Sequence, residues 1–279
     1  MHLILIFTAL VAACFLRIRW SVPQGNWARR WQRSLLFFLF PPLLLLATAT
    51  AVVVMGTQGQ MVRLWDGWFS YLLAVTFLNV ATILWVKLAT DGYLFLKQIR
   101  TFPQKKIAGI NVKIINTPAF FSAIIGFWKT EFVVSTGLLK TLDSAHLQAV
   151  IAHEQAHYYY RDTFWFFWLG WLRKITVWLP NTQALWEELL TLRELRADAK
   201  AAAGVDGLLL AEALLLVASY PHRNFDVDCV VGAVGSQNRL GERIEALLAE
   251  PELVLKVNKW FFAWLILTLL PLLTVPFHS

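Results

Sequence analysis

Three uninterrupted apolar stretches, Leu35–Met55, Trp68–Val86 and Trp260–Phe277, hold no charged side chain. Each is long enough to cross a bilayer, which takes about 20 apolar residues with a range of roughly 17–25. Such segments must satisfy their backbone groups internally, so helices are expected there. A fourth run, Leu3–Leu16, reaches spanning length only if Met1, His2 and the stretch to Ile18 are counted. Its positive charges follow the apolar run, whereas a signal peptide carries them before it, so it reads as a retained span. Val11–Cys14 faintly resembles a lipoprotein cleavage box but lacks the basic start. Composition agrees: 15% of residues are charged and 58% hydrophobic, against about 25% charged in soluble domains. That excludes an ordinary soluble protein and a disordered one. Cys14 and Cys229 lie far apart and offer no disulfide framework.

The net charge of +7 is read as topology information and not as direct nucleic-acid binding. Arg17, Arg19, Arg29, Arg30 and Arg33 follow the first run without an acid between them. Only Arg63, near Asp66, lies between the second and third runs. Lys87, Lys97, Arg100, Lys105 and Lys106 follow the third, and Lys256 and Lys259 precede the last. By the positive-inside rule both termini face outside, while residues 17–34 and about 90–257 face the cytoplasm. The expected class is a mainly α membrane protein. Residues 1–96 hold three transmembrane helices, 97–257 form a cytoplasmic α+β domain, and 258–279 hold the fourth transmembrane helix.

The chemistry lies in the sequence Val150-Ile151-Ala152-His153-Glu154-Gln155-Ala156-His157. Asp143 or Ser144 can cap a helix through it. Residues four apart share one helix face, so His153 and His157 can bind one zinc ion. Glu154, one position on, can act as general base without being a ligand. A zinc site needs a third protein ligand and an open position. Glu194 on the helical pattern Ala184–Ala203 is a candidate, with Asp198 four residues on to accept the other ring N–H of a zinc-bound histidine. Glu187 and Glu188 are rival ligands. The bland alternative is a solvated helix face on which Arg193 and Arg196 pair with the acids.

These residues, with Arg161-Asp162, Trp178-Leu179-Pro180-Asn181 and Glu194-Leu195-Arg196-Ala197-Asp198, resemble the BlaR/MecR family of membrane metallopeptidases. Phe132–Leu139 is similar to that family's strand before the zinc helix, and Arg239–Ile244 to a later helix. The resemblance implies zinc ligands His153, His157 and Glu194 and a catalytic base Glu154. It also implies a cytoplasm-facing gluzincin of the bacterial inner membrane that cleaves itself and leads to removal of a small winged-helix repressor. The family's penicillin-binding sensor has no counterpart before Ser279, so direct β-lactam sensing by this chain is not expected.

Phe164–Pro180 is apolar enough to be a fifth span. A crossing there would put His157 and Glu194 on opposite membrane faces, where one ion could not bind both. Arg173 and Lys174 also make a crossing costly, by about 2.5–3.5 kcal/mol each. An interfacial or re-entrant segment over 164–180 is therefore expected, with a core helix of the protease domain as the alternative.

Other residues carry less. His146 reads as a surface or core histidine, His222 as a loop residue, and Arg161–Asp162 as a structural pair. Tyr158, Tyr159 and Tyr160 could offer a hydroxyl to an oxyanion. Phe132–Ser135 could be an edge strand that pairs with substrate backbone or an ordinary hairpin strand. The activity expected is zinc-dependent endopeptidase hydrolysis serving signal transduction and transcription regulation. The partners expected are the lipid bilayer and a protein substrate. A quality-control or processing peptidase and a non-catalytic membrane receptor are the alternatives. A homodimer is left open, with no GxxxG motif in the spans to support it.

Overall fold

The structure, a computed structural model, describes residues 2–22, 25–57, 64–219, 239–249 and 259–277. His222, Cys229 and Lys256 lie outside the described residues. By internal contacts the chain divides into two units: Met1–Lys87 with Leu169–Leu189 and Val254–Ser279, and Leu88–Trp168 with Leu190–Leu253.

The first unit contains α1 (His2–Arg19), α2 (Trp27–Met55) and most of α3 (Leu64–Thr101). These three helices are long and apolar enough to cross a membrane. The fourth apolar run forms a 3-10 helix, Lys259–Phe277, with Pro271 and Pro276 inside it. It packs along α2. The boundary expected at 96/97 falls inside α3, which has 38 residues. At about 1.5 Å per residue, α3 is far longer than a hydrocarbon core of about 30 Å.

α2 carries Pro41 and Pro42 without ending. Proline has no N–H, so Pro42 leaves the carbonyl of Phe38 without its helical donor. Arg17 fills the gap: its Nη2 donates to the Phe38 carbonyl at 3.2 Å, and its Nη1 to Thr182 Oγ1 at 3.2 Å. Arg17 was counted above among the loop charges that set topology. It lies within α1 and not in the loop after it, and it is fully buried.

The same unit holds the tip of a helical hairpin made by α6 (Asp162–Ile175) and α7 (Thr182–Ala202). Leu179 at the tip is buried with Ala9, Ala13 and Leu45. Trp171 Nε1 donates to the Ala81 carbonyl at 2.8 Å, and Asn181 Nδ2 to the Arg17 carbonyl at 2.8 Å. Asn181 turns the chain with a left-handed backbone, φ 56°, a conformation asparagine tolerates better than most residues. Glu188, fully buried, pairs with Arg30 at 2.8 Å.

The second unit is built on a four-stranded sheet of order β1-β2-β4-β3, with β1 Gln104–Ile107, β2 Ile110–Ile115, β3 Ser122–Ile125 and β4 Glu131–Ser135. β1 and β3 run antiparallel to their neighbours, and β2 pairs parallel with β4, Val112 opposite Phe132. The segment Phe132–Ser135 is thus an interior strand, not an edge. β3 is the edge strand on that side. Strand alternation sorts the side chains. Val112, Phe132 and Val134 pack on α5 (Ser144–Tyr160) and α8 (Gly207–Ser219). Ile115, Ala123, Ile125 and Val133 pack on Ile99 and Phe95 at the end of α3.

A short helix, α4 (Thr136–Thr141), links β4 to α5. Ser135 Oγ accepts from Leu138 N and Phe121 N, both at 3.1 Å, which caps α4 and ties it to the chain before β3. Gly137 is required there: a Cβ would stand 2.1 Å from the Pro118 carbonyl oxygen. α5 starts at Asp143, whose carboxylate accepts from Ala145 N and His146 N at 3.0 and 2.9 Å. It ends at Arg161, held in the left-handed region at φ 53°. One further helix, α9 (Leu240–Leu248), packs on α8.

Candidate metal centre

α5 and the second half of α7 bring His153, His157 and Glu194 together, all within the second unit. His153 Nε2 lies 3.0 Å from His157 Nε2 and 3.3 Å from Glu194 Oε2, and His157 Nε2 lies 3.6 Å from Glu194 Oε1. Zinc bonds of about 2.0–2.1 Å place the corners of a tetrahedron about 3.3 Å apart. The three donors stand at that spacing.

The opposite ring nitrogens show why the donors face each other. His153 Nδ1 is 2.8 Å from Asp198 Oδ1, and His157 Nδ1 is 2.7 Å from Asp162 Oδ2. The His157–Asp162 contact is a hydrogen bond, which fixes that ring's tautomer, and Asp198 stands beside the His153 ring at ion-pair distance. Both Nε2 lone pairs then point at one spot beside the Glu194 carboxylate, an arrangement that favours a cation. The donor set fits zinc.

Arginines hold the acids in place. Arg193 donates to Glu194 Oε1 through Nε at 3.0 Å and Nη2 at 2.6 Å, and Arg243 Nη1 stands 3.4 Å from Glu194 Oε2. Arg243 on α9 also grips Asp198 with two bonds, 2.6 and 2.8 Å. Arg196 pairs with Asp162. Burial by itself would raise the Glu194 and Asp198 carboxyls. Arg193, with His157 and Arg243, instead holds Glu194 well below the usual carboxylate range, and Arg243 lowers Asp198. Burial disfavours charge on His153, but Asp198 and Glu194 override it and push the imidazole up to about 10. His157 is raised against its own burial by Glu194 and Asp162.

Glu154 is buried on the same helix and takes no part in the three-donor cluster. Ser122 Oγ, on edge strand β3, donates to Glu154 Oε1 at 2.7 Å. One hydroxyl donor leaves the Glu154 carboxylate with spare acceptor capacity.

The rival acids go elsewhere: Glu188 to Arg30, and Glu187 to Gln183 Nε2 at 2.8 Å. Arg193 and Arg196 do not form a solvated face. Arg193 is 3% exposed and lies over the Phe166 ring, and Arg196 lies over Tyr160. Of the three tyrosines, Tyr158 and Tyr159 are exposed. His146 is engaged by Asp143 at 2.9 Å and Glu212 at 3.4 Å. Asp162 is not a partner of Arg161, as the sequence suggested, but the residue that orients His157. The left-handed turn at Arg161 places it there, five positions after the histidine. Arg243 and Ser122 also escaped the sequence reading as site residues, because their partners lie far away in the chain.

Residues 98–220 match Peptidase family M48. The matched stretch contains α5, the sheet and the three donors. No curated protein matches the chain. The sequence match and the site together support a membrane-associated metallopeptidase.

Proposed function

We propose that the chain is a membrane-embedded zinc endopeptidase that hydrolyses peptide bonds on the cytoplasmic side. The observation that carries it is the convergence of two imidazole Nε2 atoms and one carboxylate, each held from behind, next to an acid outside the cluster. His153, His157 and Glu194 would hold the ion, which supplies Lewis acidity and an acidified water. Asp162 and Asp198 keep both Nδ1 atoms protonated and the rings aligned. Glu154 accepts a proton from the attacking water and passes it to the leaving amine. The Ser122 hydroxyl fixes which way the Glu154 carboxylate faces.

The cytoplasmic placement rests on the arginine and lysine distribution. The inner bacterial membrane and outward termini follow from the same rule and from the family resemblance. A re-entrant reading of 164–180 draws support from the α6–α7 hairpin, which turns back after packing its tip among apolar helices. A return puts Asp162 and Glu194 on one side of the membrane, as one metal site demands.

Within this class we read the enzyme as a regulatory protease that inactivates a transcriptional repressor and cleaves itself, on the BlaR/MecR resemblance. A second reading, a quality-control or processing peptidase of membrane proteins, is favoured by the M48 match, which names a peptidase class and no repressor. The test is to incubate the purified, zinc-loaded full chain with an unfolded protein and with a candidate winged-helix repressor. Glu154→Ala should retain zinc and lose cleavage. Retained hydrolysis in that variant contradicts the proposal. Selective loss of the repressor supports the regulatory reading, and broad cleavage supports the second.

A further inference from the structure

A cleft of about 800 Å³ opens in the second unit, and none of the three donors lines it. Phe127 and Trp128 from the β3–β4 turn and Phe164 from α6 form one wall, and Tyr159 of α5 another. Arg161 and Lys200 supply its charge. No Asp or Glu lines it among the described residues. Neither cation forms an ion pair with a described residue; Lys200 Nζ stands 4.5 Å over the Tyr159 ring.

Three observations indicate what fits there. The aromatic wall is built, not incidental: the Phe127 ring centroid lies 4.7 Å from that of Phe164 and 5.0 Å from that of Phe167. It also projects, since Trp128 is 79% exposed, and exposed aromatic patches of this kind mark interaction sites. Finally, α6 does not end at this wall. From Leu169 it continues into the unit of long apolar helices. Aromatic rings beside basic side chains, on a helix that runs into an apolar bundle, have the chemistry of the headgroup layer. Two cations without an acid select negative charge.

We infer that this cleft binds the headgroup of an anionic phospholipid, with Trp128 at the level of the glycerol and upper acyl chain and Arg161 and Lys200 on the phosphate. The inference rests on reading α1–α3 as membrane spans. It needs neither zinc nor peptidase activity. An acidic peptide is the competing occupant, but the projecting Trp128 and the continuity of α6 favour lipid.

The test uses the full chain in phosphatidylcholine nanodiscs carrying either brominated phosphatidylglycerol or brominated phosphatidylcholine. The difference in bromine quenching between the unmodified chain and Trp128→Phe isolates one of 14 tryptophans. Quenching of Trp128 should be several-fold stronger with the brominated anionic lipid. Arg161→Gln with Lys200→Gln should bring the two lipids level, since each basic side chain near an anionic surface contributes about five-fold. Unchanged zinc content in the variants checks that the fold is intact. Equal quenching by both lipids in the unmodified chain, no quenching of Trp128, or a preference that survives the double variant overturns the inference. So does protection of Trp128 by an acidic peptide without any lipid preference. Loss of peptidase activity alone leaves this readout unmoved, so the two proposals fail separately.

Discussion

Glu188 and Glu194 sit on one helix, six residues apart, and both are buried, yet they do different work. Glu188 meets Arg30 at 2.8 Å. Glu194 meets Arg193 and Arg243 and, in addition, two ring nitrogens whose far sides are already held by carboxylates. A buried acid needs a cation partner in either case. The two imidazole nitrogens that converge on Glu194 are what mark it as a metal ligand.

The comparison can be broken most severely at Glu154. Glu154→Gln removes the proton carrier and should lower kcat by about 10²–10⁴ with zinc content unchanged, as measured by turnover and metal analysis. Asp162→Asn and Asp198→Asn should each weaken zinc binding by about 10–100-fold, read by chelator competition. If Asp162 is only a structural pair, its variant will hold zinc as tightly as the unmodified chain. On the Glu188 side, Arg30→Met should destabilise by up to about 3–5 kcal/mol because it takes a close cation partner from a buried carboxylate. Arg30→Met with Glu188→Leu should recover most of that loss, followed by denaturation in detergent, and zinc should persist in both.

The smallest effect is expected at the start of α5. The backbone N–H and ring of His146 lower the Asp143 carboxyl, and its hydrogen bond to Asp143 raises His146. A lowered acid contributes stability above its unfolded value near 3.8 and loses it as pH falls. A raised histidine contributes below its unfolded value near 6.5 and loses it as pH rises through the raised value. The pair therefore helps most between these values. Asp143→Ala should lower the melting temperature slightly there, and by less at higher pH.

How much of this was legible in the sequence follows from chain distance. The four-residue spacings of His153 with His157 and of Glu194 with Asp198 are local, and helix geometry alone aligns them. The apolar runs also stand out, although α3 extends past its run and the last run winds as a 3-10 helix. The roles of Asp162, Arg243 and Ser122 are set by tertiary contacts. Asp162 lies near His157 in sequence, but only the left-handed Arg161 turns it back, and no pattern announces such a turn at arginine. Likewise, the hydrophobic run Phe132–Ser135 does not say whether the strand is an edge. That depends on where β3 pairs.

The most direct measurement is zinc stoichiometry on the detergent-purified full chain, with Glu194→Ala and Glu188→Ala beside it. A single zinc ion per chain, lost in Glu194→Ala and kept in Glu188→Ala, is the predicted result. No zinc in the unmodified chain, or zinc retained without Glu194, would contradict the account.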